Sequence, residues 1–239
     1  VKIVCISDTH MLHDQLVMPE GDVLIHSGDF TNSGTIAEVE NFARWLAKQP
    51  YAIKVVVPGN HDEAFDRRIS SLERFYKVQG LIEDIGGAVL LIDNLLITGL
   101  PEIGPSIKIY GTPWSKLYGD WAFMDDDAKL MGKWNRIPPN LDILVVHGPP
   151  KDILDKTYHG HHEGSDTLKL HLETMGAERP SLVVFGHIHE SHGMVGEATG
   201  DTIYVNAASM GYREEAGGDP NWPTKTVRPY MRPPIVVEL

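Results

Sequence analysis

The chain has 239 residues, 33 acidic against 21 basic, a formal net charge of −12, and 42% hydrophobic and 23% charged residues. That composition is that of an ordinary soluble globular protein, long enough for one large α/β domain with a well-buried core. The acidic balance argues against long nucleic acid or an anionic membrane as partner, since both need basic surface, but leaves small phosphorylated substrates open because a bound metal ion reverses the local field.

Cys5 is the single cysteine, so no disulfide forms within the chain, and inside an apolar strand it reads as a buried, inert thiol. No apolar stretch approaches the roughly 18 residues that span a bilayer, and no charged-then-apolar leader opens the sequence. A cytoplasmic protein is the expectation.

Taken in order, Lys2–Ser7 and Asp22–Ser27 read as buried strands, continuous in apolar residues. Thr35 and Glu38 make a capping-box signal, and Ile36, Val39, Phe42, Ala43 and Leu46 follow at helical spacing. Ile53–Val57 is a third strand, expected parallel to the first two. Phe65, Ile69, Leu72, Phe75 and Tyr76 mark a helix expected to stop at Gly80. Ala88–Ile92 and Leu95–Thr98 look like two strands joined by a tight turn at Asp93-Asn94, and Ile107–Gly111 like another, in an antiparallel or mixed sheet. Asp125–Asp127 can open a helix running to about Arg136, and Ser165 or Asp166 one ended by Gly176. Asp142–Val146, Leu182–Phe185, Thr202–Val205 and Ile235–Glu238 complete the strands, while residues 211–234 read as irregular. Two sheets covered by helices in one domain over residues 1–239 is the expected architecture.

Five of the strands finish in residues with metal-binding chemistry: Asp8-Thr9-His10, Gly28-Asp29, Gly59-Asn60-His61-Asp62, His147-Gly148 and Gly186-His187-Ile188-His189. Each alone has a plainer reading. Asp8-x-His10 could be a turn or cap, and His147 a satisfied polar group. Jointly they collect Asp8, His10, Asp29, Asn60, His61, His147, His187 and His189 at the carboxyl ends of strands, where open α/β sheets place their sites. Carboxylate, imidazole and carboxamide without thiolate suit Mn, Fe, Zn or, less well, Mg. The donors are too many for one tetrahedral ion and about right for two, an arrangement used to hydrolyse phosphate esters.

These motifs resemble those of the calcineurin-like metallophosphoesterases over roughly residues 3–190, with no expected motif residue missing. The resemblance implies a two-sheet α/β/β/α sandwich of the metallo-dependent phosphatase type. It implies one metal held by Asp8, His10, Asp29 and His189 and a second by Asp29, Asn60, His147 and His187. His61 would be the catalytic histidine outside the ligand set, with Asp62 orienting it. The segments Ile109-Tyr110-Gly111-Thr112-Pro113-Trp114, Trp121-Ala122-Phe123 and Val205-Asn206-Ala207 are similar to the branch containing the mammalian metallophosphoesterase-domain proteins, linked to phosphodiester and cyclic-nucleotide hydrolysis.

Of the other histidines, His26 reads as a core residue orienting a ligand, and His159, His161 and His162 as a solvated loop. His13 and His192 stand beside ligand motifs, within reach of phosphate. Trp114, Trp121 and Phe123 are core anchors or a wall for stacking a base.

The expected function is hydrolysis of small phosphodiesters by in-line attack of a metal-bridging hydroxide. Asn60 and His61 contact substrate, His61 acts on the leaving group, and two metal ions serve as cofactors, Mn2+ in vitro. A phosphomonoesterase acting on phosphoproteins and a non-catalytic scaffold are the alternatives.

Overall fold

The computed structural model describes residues 1–99, 106–196, 202–215 and 226–239. In chain order the strands are β1 (Lys2–Ile6), β2 (Val23–His26), β3 (Ile53–Val56), β4 (Val89–Leu90), β5 (Asn94–Thr98), β6 (Ile107–Thr112), β7 (Ser115–Lys116), β8 (Met124–Asp125), β9 (Ile143–Val146), β10 (Leu182–Phe185), β11 (Gly193–Gly196), β12 (Ile203–Asn206), β13 (Met210–Glu215), β14 (Thr226–Met231) and β15 (Ile235–Glu238). The helices are α1 (Ile36–Leu46), α2 (Leu72–Gly80), α3 (Asp127–Trp134) and α4 (Asp166–Met175).

One sheet runs β15-β1-β2-β3-β4, parallel except for β15. The other runs β11-β12-β10-β9-β6-β5, with β6, β9, β10 and β12 parallel and both edges antiparallel. Because side chains alternate along a strand, each sheet is apolar on both faces. Ile3 and Cys5 share one buried layer with Ile109, Val145, Val184 and Val205 of the opposite sheet. Val4 and Ile6 turn to the other side, into the cluster holding Phe42 and Leu46 of α1. Leu144, Val146, Val183 and Phe185 likewise belong with Leu130 and Trp134 of α3 and Leu168 and Leu172 of α4. The result is the expected α/β/β/α sandwich.

The capping box of α1 is formed: Thr35 Oγ1 accepts from the Glu38 amide at 3.3 Å, and Glu38 Oε2 accepts from the Thr35 amide at 2.9 Å. Other local expectations are corrected. Glu63–Phe65 is a 3-10 turn, and α2 starts only at Leu72, where the Ser71 hydroxyl accepts from the Arg74 amide at 3.2 Å. Nor does Gly80 end it. Gly80 keeps right-handed helical dihedrals and the chain continues as a π-helical turn over Leu81–Ile85.

The expected hairpin around Asp93-Asn94 is instead a crossing between the sheets, since β4 pairs with β3 and β5 with β6. Asp93 makes the corner at φ 49°. Its carboxylate accepts from the Thr112 hydroxyl at 2.6 Å and the Trp114 indole N–H at 3.0 Å, contacts no local pattern foretells. Residues 211–234 are also not irregular throughout: β13 and β14 pair antiparallel with Tyr212 opposite Pro229, while residues 216–225 lie outside the described residues.

Candidate metal centre

The loops leaving β1, β2, β3, β9 and β10 meet at one edge of the sandwich because those strands run parallel within their sheets. Hydrogen bonding continues past the strand ends: Asp8 N donates to Gly28 O at 2.8 Å, His10 N to Asp29 O at 3.0 Å and Gly186 N to His147 O at 3.0 Å. Asp8, His10, Asp29 and His187 all have positive φ, between 40° and 67°. Left-handed backbone is unfavourable for residues with a Cβ and persists where surrounding structure enforces it. Here it turns four side chains of the set back toward one point. Glycine is required beside them. A Cβ on Gly28 (φ 114°) would meet His147 Nδ1, and one on Gly59 would meet the Asp29 carboxylate and lie 2.6 Å from the Asp29 amide nitrogen.

All seven expected ligands come together. Donor atoms of Asp8, His10 and His189 lie within 4.8 Å of one another, as do those of Asp29, His147 and His187, and those of His10, Asp29 and His61. His189 Nε2 is 3.2 Å from Asp8 Oδ1, and 3.4 Å from His10 Nε2. Asp29 Oδ2 stands between the groups, 3.8 Å from His10 Nε2 and 3.4 Å from His147 Nε2. Asn60 Oδ1 is 2.9 Å from His147 Nε2. Asp29 belongs to two of these three groups, and sets built from imidazole and carboxylate donors can hold metal ions.

The calcineurin-like phosphoesterase family model matches residues 1–191, which contain every one of these donors. The chain belongs to that family. It is 35% identical to human "Metallophosphoesterase domain-containing protein 1" over 247 aligned residues, covering 100% of this chain and 71% of that protein. A shorter match, 28% identical over 145 residues, covers 60% of this chain and 47% of the "Probable glycerophosphodiester phosphodiesterase GpdQ" of Arcobacter nitrofigilis. One solved crystal structure shares the fold at 16% identity, with a TM-score of 0.63 over 87% of this chain and 90% of its own. Among the described residues of this phosphoesterase, no helix is long and apolar enough to cross a membrane.

The fit to a metal ion shows most directly at His147. Its Nδ1 is 2.9 Å from the Ser27 carbonyl, while Nε2 faces Asn60 Oδ1 and Asp29 Oδ2. Every partner is an acceptor, so both ring nitrogens carry protons and the Nε2 proton sits where a cation belongs. Burial alone would depress the His147 pKa, but the charge and hydrogen bond of Asp29 overcome it and push it up to about 9. Burial would likewise raise Asp29, yet the charge and hydrogen bond of His147, with His10, hold it below the ordinary carboxylate range. For Asp8 the hydrogen bond and charge of His189 do the same against burial. Burial first, and then the charge on His147, push His187 down to about 4, leaving its imidazole neutral.

A prediction follows from His147. A metal ion must displace its Nε2 proton, so uptake of Mn2+ by the metal-free protein releases protons and its affinity climbs as pH rises toward about 9. The same raised pKa stabilises the metal-free fold below about 6.5, the ordinary value, and that contribution is lost as pH rises through about 9. Calorimetry in buffers of different ionisation enthalpy reads the proton count. Uptake with no proton release at pH 7 would refute the assignment.

The expected role of Asp62 is corrected. Its buried carboxylate accepts from the amides of Asp29 (2.8 Å), Gly59 (2.8 Å) and Thr31 (3.0 Å) and from the Thr31 hydroxyl (2.7 Å), with no bond to the His61 ring. It clamps the β2 and β3 loops together. His61 Nδ1 instead donates to the Asn32 carbonyl at 2.8 Å, which leaves Nε2 free. Neither Thr31 nor Asn32 was singled out in the sequence. A backbone carbonyl carries no residue signature.

His26 has the supporting role expected. Gly28 N donates to Nδ1 at 3.3 Å, so Nε2 carries the proton and donates to Thr9 Oγ1 at 3.0 Å, tying the Asp8 and Asp29 loops. His13 does not face the centre; it is buried against Phe42 and Trp45 with Nε2 at 2.9 Å from Asn41 Oδ1. His192 Nε2 bonds the Pro233 carbonyl at 3.2 Å. His162 pairs with buried Asp155 at 2.6 Å, and His159 and His161 are exposed. Trp114 and Phe123 are buried and so form no stacking wall; Trp121 is 40% exposed, with its ring centroid 4.2 Å from that of His61.

Proposed function

We propose that this phosphoesterase hydrolyses small phosphodiesters, nucleoside 2′,3′- or 3′,5′-cyclic phosphates being the specific class, in the cytoplasm. In this reading Asp8, His10, Asp29 and His189 hold one ion and Asp29, Asn60, His147 and His187 the other, with Mn2+ effective in vitro and Fe, Zn or Mg as alternatives. Bound metal supplies Lewis acidity toward the phosphoryl oxygens and acidifies water. Asn60 helps place the phosphoryl group. His61, anchored through Nδ1, presents Nε2 to the leaving oxygen and delivers a proton as the ester P–O bond breaks. Water supplies the new P–O bond; an acyclic diester gives a monoester and an alcohol, and a cyclic phosphate gives a single monoester that carries the freed hydroxyl.

The observation that carries the diester reading is the half-exposed Trp121 packed on His61, an aromatic surface beside the proposed proton donor. Stacking of a base on such a surface contributes about 1–3 kcal/mol. Two further points agree. Among the described residues no Lys or Arg side chain bonds to the donor side chains, whereas a dianionic monoester gains from added cations. The partial relative named as a diesterase also fits.

The test is kcat/KM for bis(4-nitrophenyl) phosphate, the cyclic nucleotides and 4-nitrophenyl phosphate, in Mn2+ at one pH. Diesters are expected to be preferred, and a clear preference for the monoester overturns the reading. In the same panel His61→Gln is expected to keep its metal yet lose roughly 10²–10⁴-fold in rate, less for nitrophenolate than for alkoxide leaving groups. An equal loss across leaving groups would point to phosphate binding instead.

A further inference from the structure

Five aromatic rings form a continuous row across the centre. Trp121 lies on His61 (4.2 Å between centroids), His61 meets His10 edge-on (4.8 Å), His10 meets His189 (5.2 Å), and Tyr212 lies nearly parallel to His189 (6.1 Å, 16° between planes). The inner three are histidines of the site. The outer two are 40% and 56% exposed and come from segments far apart in the chain.

Both ends are fastened. The Trp121 loop is held by Phe123 N donating to Asp66 Oδ2 at 2.8 Å and by Arg68 Nη1 donating to the Met124 carbonyl at 3.2 Å. Tyr212 stands on β13, whose first residue donates through its amide to the Asp8 carbonyl at 3.2 Å. Arg232 Nη1 donates to the carbonyls of His189 at 2.7 Å and Met210 at 2.9 Å, tying β13 to the His189 loop. An exposed aromatic on such an anchored strand loses little freedom when a planar group stacks on it.

An acyclic phosphodiester carries two separate substituents, and the row has two exposed aromatic ends. The leaving alcohol must lie within reach of His61, hence at the Trp121 end. We propose that Tyr212 is a specificity-determining residue for acyclic diesters, a platform for the substituent that stays on phosphorus, favouring planar aromatic groups. A cyclic phosphate, whose two ester oxygens belong to one ribose, brings a single base and does not divide between the two ends. This rests on the diesterase reading above, and adds the division of the two substituents between the two ends.

The test uses the Mn2+-loaded protein with two diesters that share a leaving group: bis(4-nitrophenyl) phosphate, which retains an aryl group, and methyl 4-nitrophenyl phosphate, which retains a methyl. Tyr212→Ala is expected to lower the aryl-to-methyl ratio of kcat/KM by roughly tenfold, as for loss of one stacked ring. Tyr212→Phe is expected to keep the ratio. Trp121→Ala, acting on the shared leaving group, is expected to lower both values and leave the ratio in place. Binding of simple monoesters by calorimetry reads the same subsite without turnover: Tyr212→Ala should weaken phenyl phosphate relative to methyl phosphate. An unchanged ratio together with unchanged relative binding would overturn the assignment while leaving diester hydrolysis standing. A wild type that prefers 4-nitrophenyl phosphate to both diesters overturns the diesterase reading, and the phenyl-against-methyl phosphate binding then still decides the Tyr212 subsite.

Discussion

Asp29→Asn is expected to lower turnover on the order of 10³-fold or more and to cut bound metal by at least half. A residue that merely supports a ligand typically costs 10–100-fold in metal affinity or activity, and Asp29 does more than support one. Its Oδ2 faces both His10 Nε2 and His147 Nε2, so it is the donor shared by the group around His10 and the group around His147. Its Oδ1 meanwhile accepts from the His61 amide at 2.8 Å, fixing the loop that carries the proposed proton donor. Replacing one carboxylate oxygen by an amide NH2 removes the charge and directs N–H groups at histidines or at an amide that is itself a donor. Asn60→Ala is expected to act on one cluster alone, because Asn60 Oδ1 faces His147 and not the Asp8 group. Elemental analysis of wild type, expected to give two metals per chain, and of both variants checks this. Full turnover or full metal in Asp29→Asn would refute the bridging position.

The second large effect is on stability, at Asp62. Three buried backbone amides and one hydroxyl converge on its carboxylate. Burial, and then the nearby Asp29 charge, push its pKa up to about 7 even with these donors present. Truncation to alanine leaves the amides of Asp29, Gly59 and Thr31 without partners, and each unsatisfied buried group costs about 1–3 kcal/mol. With partial relaxation the expected loss is about 3–5 kcal/mol, a large fraction of the 5–15 kcal/mol typical of a folded domain. Asp62→Asn is expected to fall between, since its amide keeps one acceptor oxygen. Denaturant unfolding of the metal-free protein measures both. Asn32→Ala is the control. The carbonyl that holds His61 belongs to the backbone, so this variant should keep turnover. Had Asp62 oriented His61, Asp62→Ala would instead lose activity with its stability intact.

Much of the centre was legible in the sequence because ligand chemistry demands particular side chains at particular strand ends. Asp8, His10, Asp29, Asn60, His147, His187 and His189 stand out as residue types that apolar strands do not otherwise finish in. The parallel β1-β2-β3 order and the α1 and α4 caps were equally readable, since periodicity and capping are local. The tertiary structure decided what depends on contacts across the chain. Asp93 turns the chain from one sheet into the other because Thr112 and Trp114 donate to it, and sequence adjacency suggested only a hairpin. Asp62 neighbours His61 yet bonds three other residues, because the β2 loop folds against it and the His61 ring turns to the Asn32 carbonyl. Trp114, Trp121 and Phe123 are alike as sequence, but only Trp121 stays half exposed at the centre. Tyr212, in a segment that reads as irregular, reaches His189 only because β13 pairs with β14 and hangs on the Asp8 carbonyl. Local pattern names the groups that chemistry requires, and long-range hydrogen bonding determines which neighbours orient them and which aromatic rings stand exposed beside the centre.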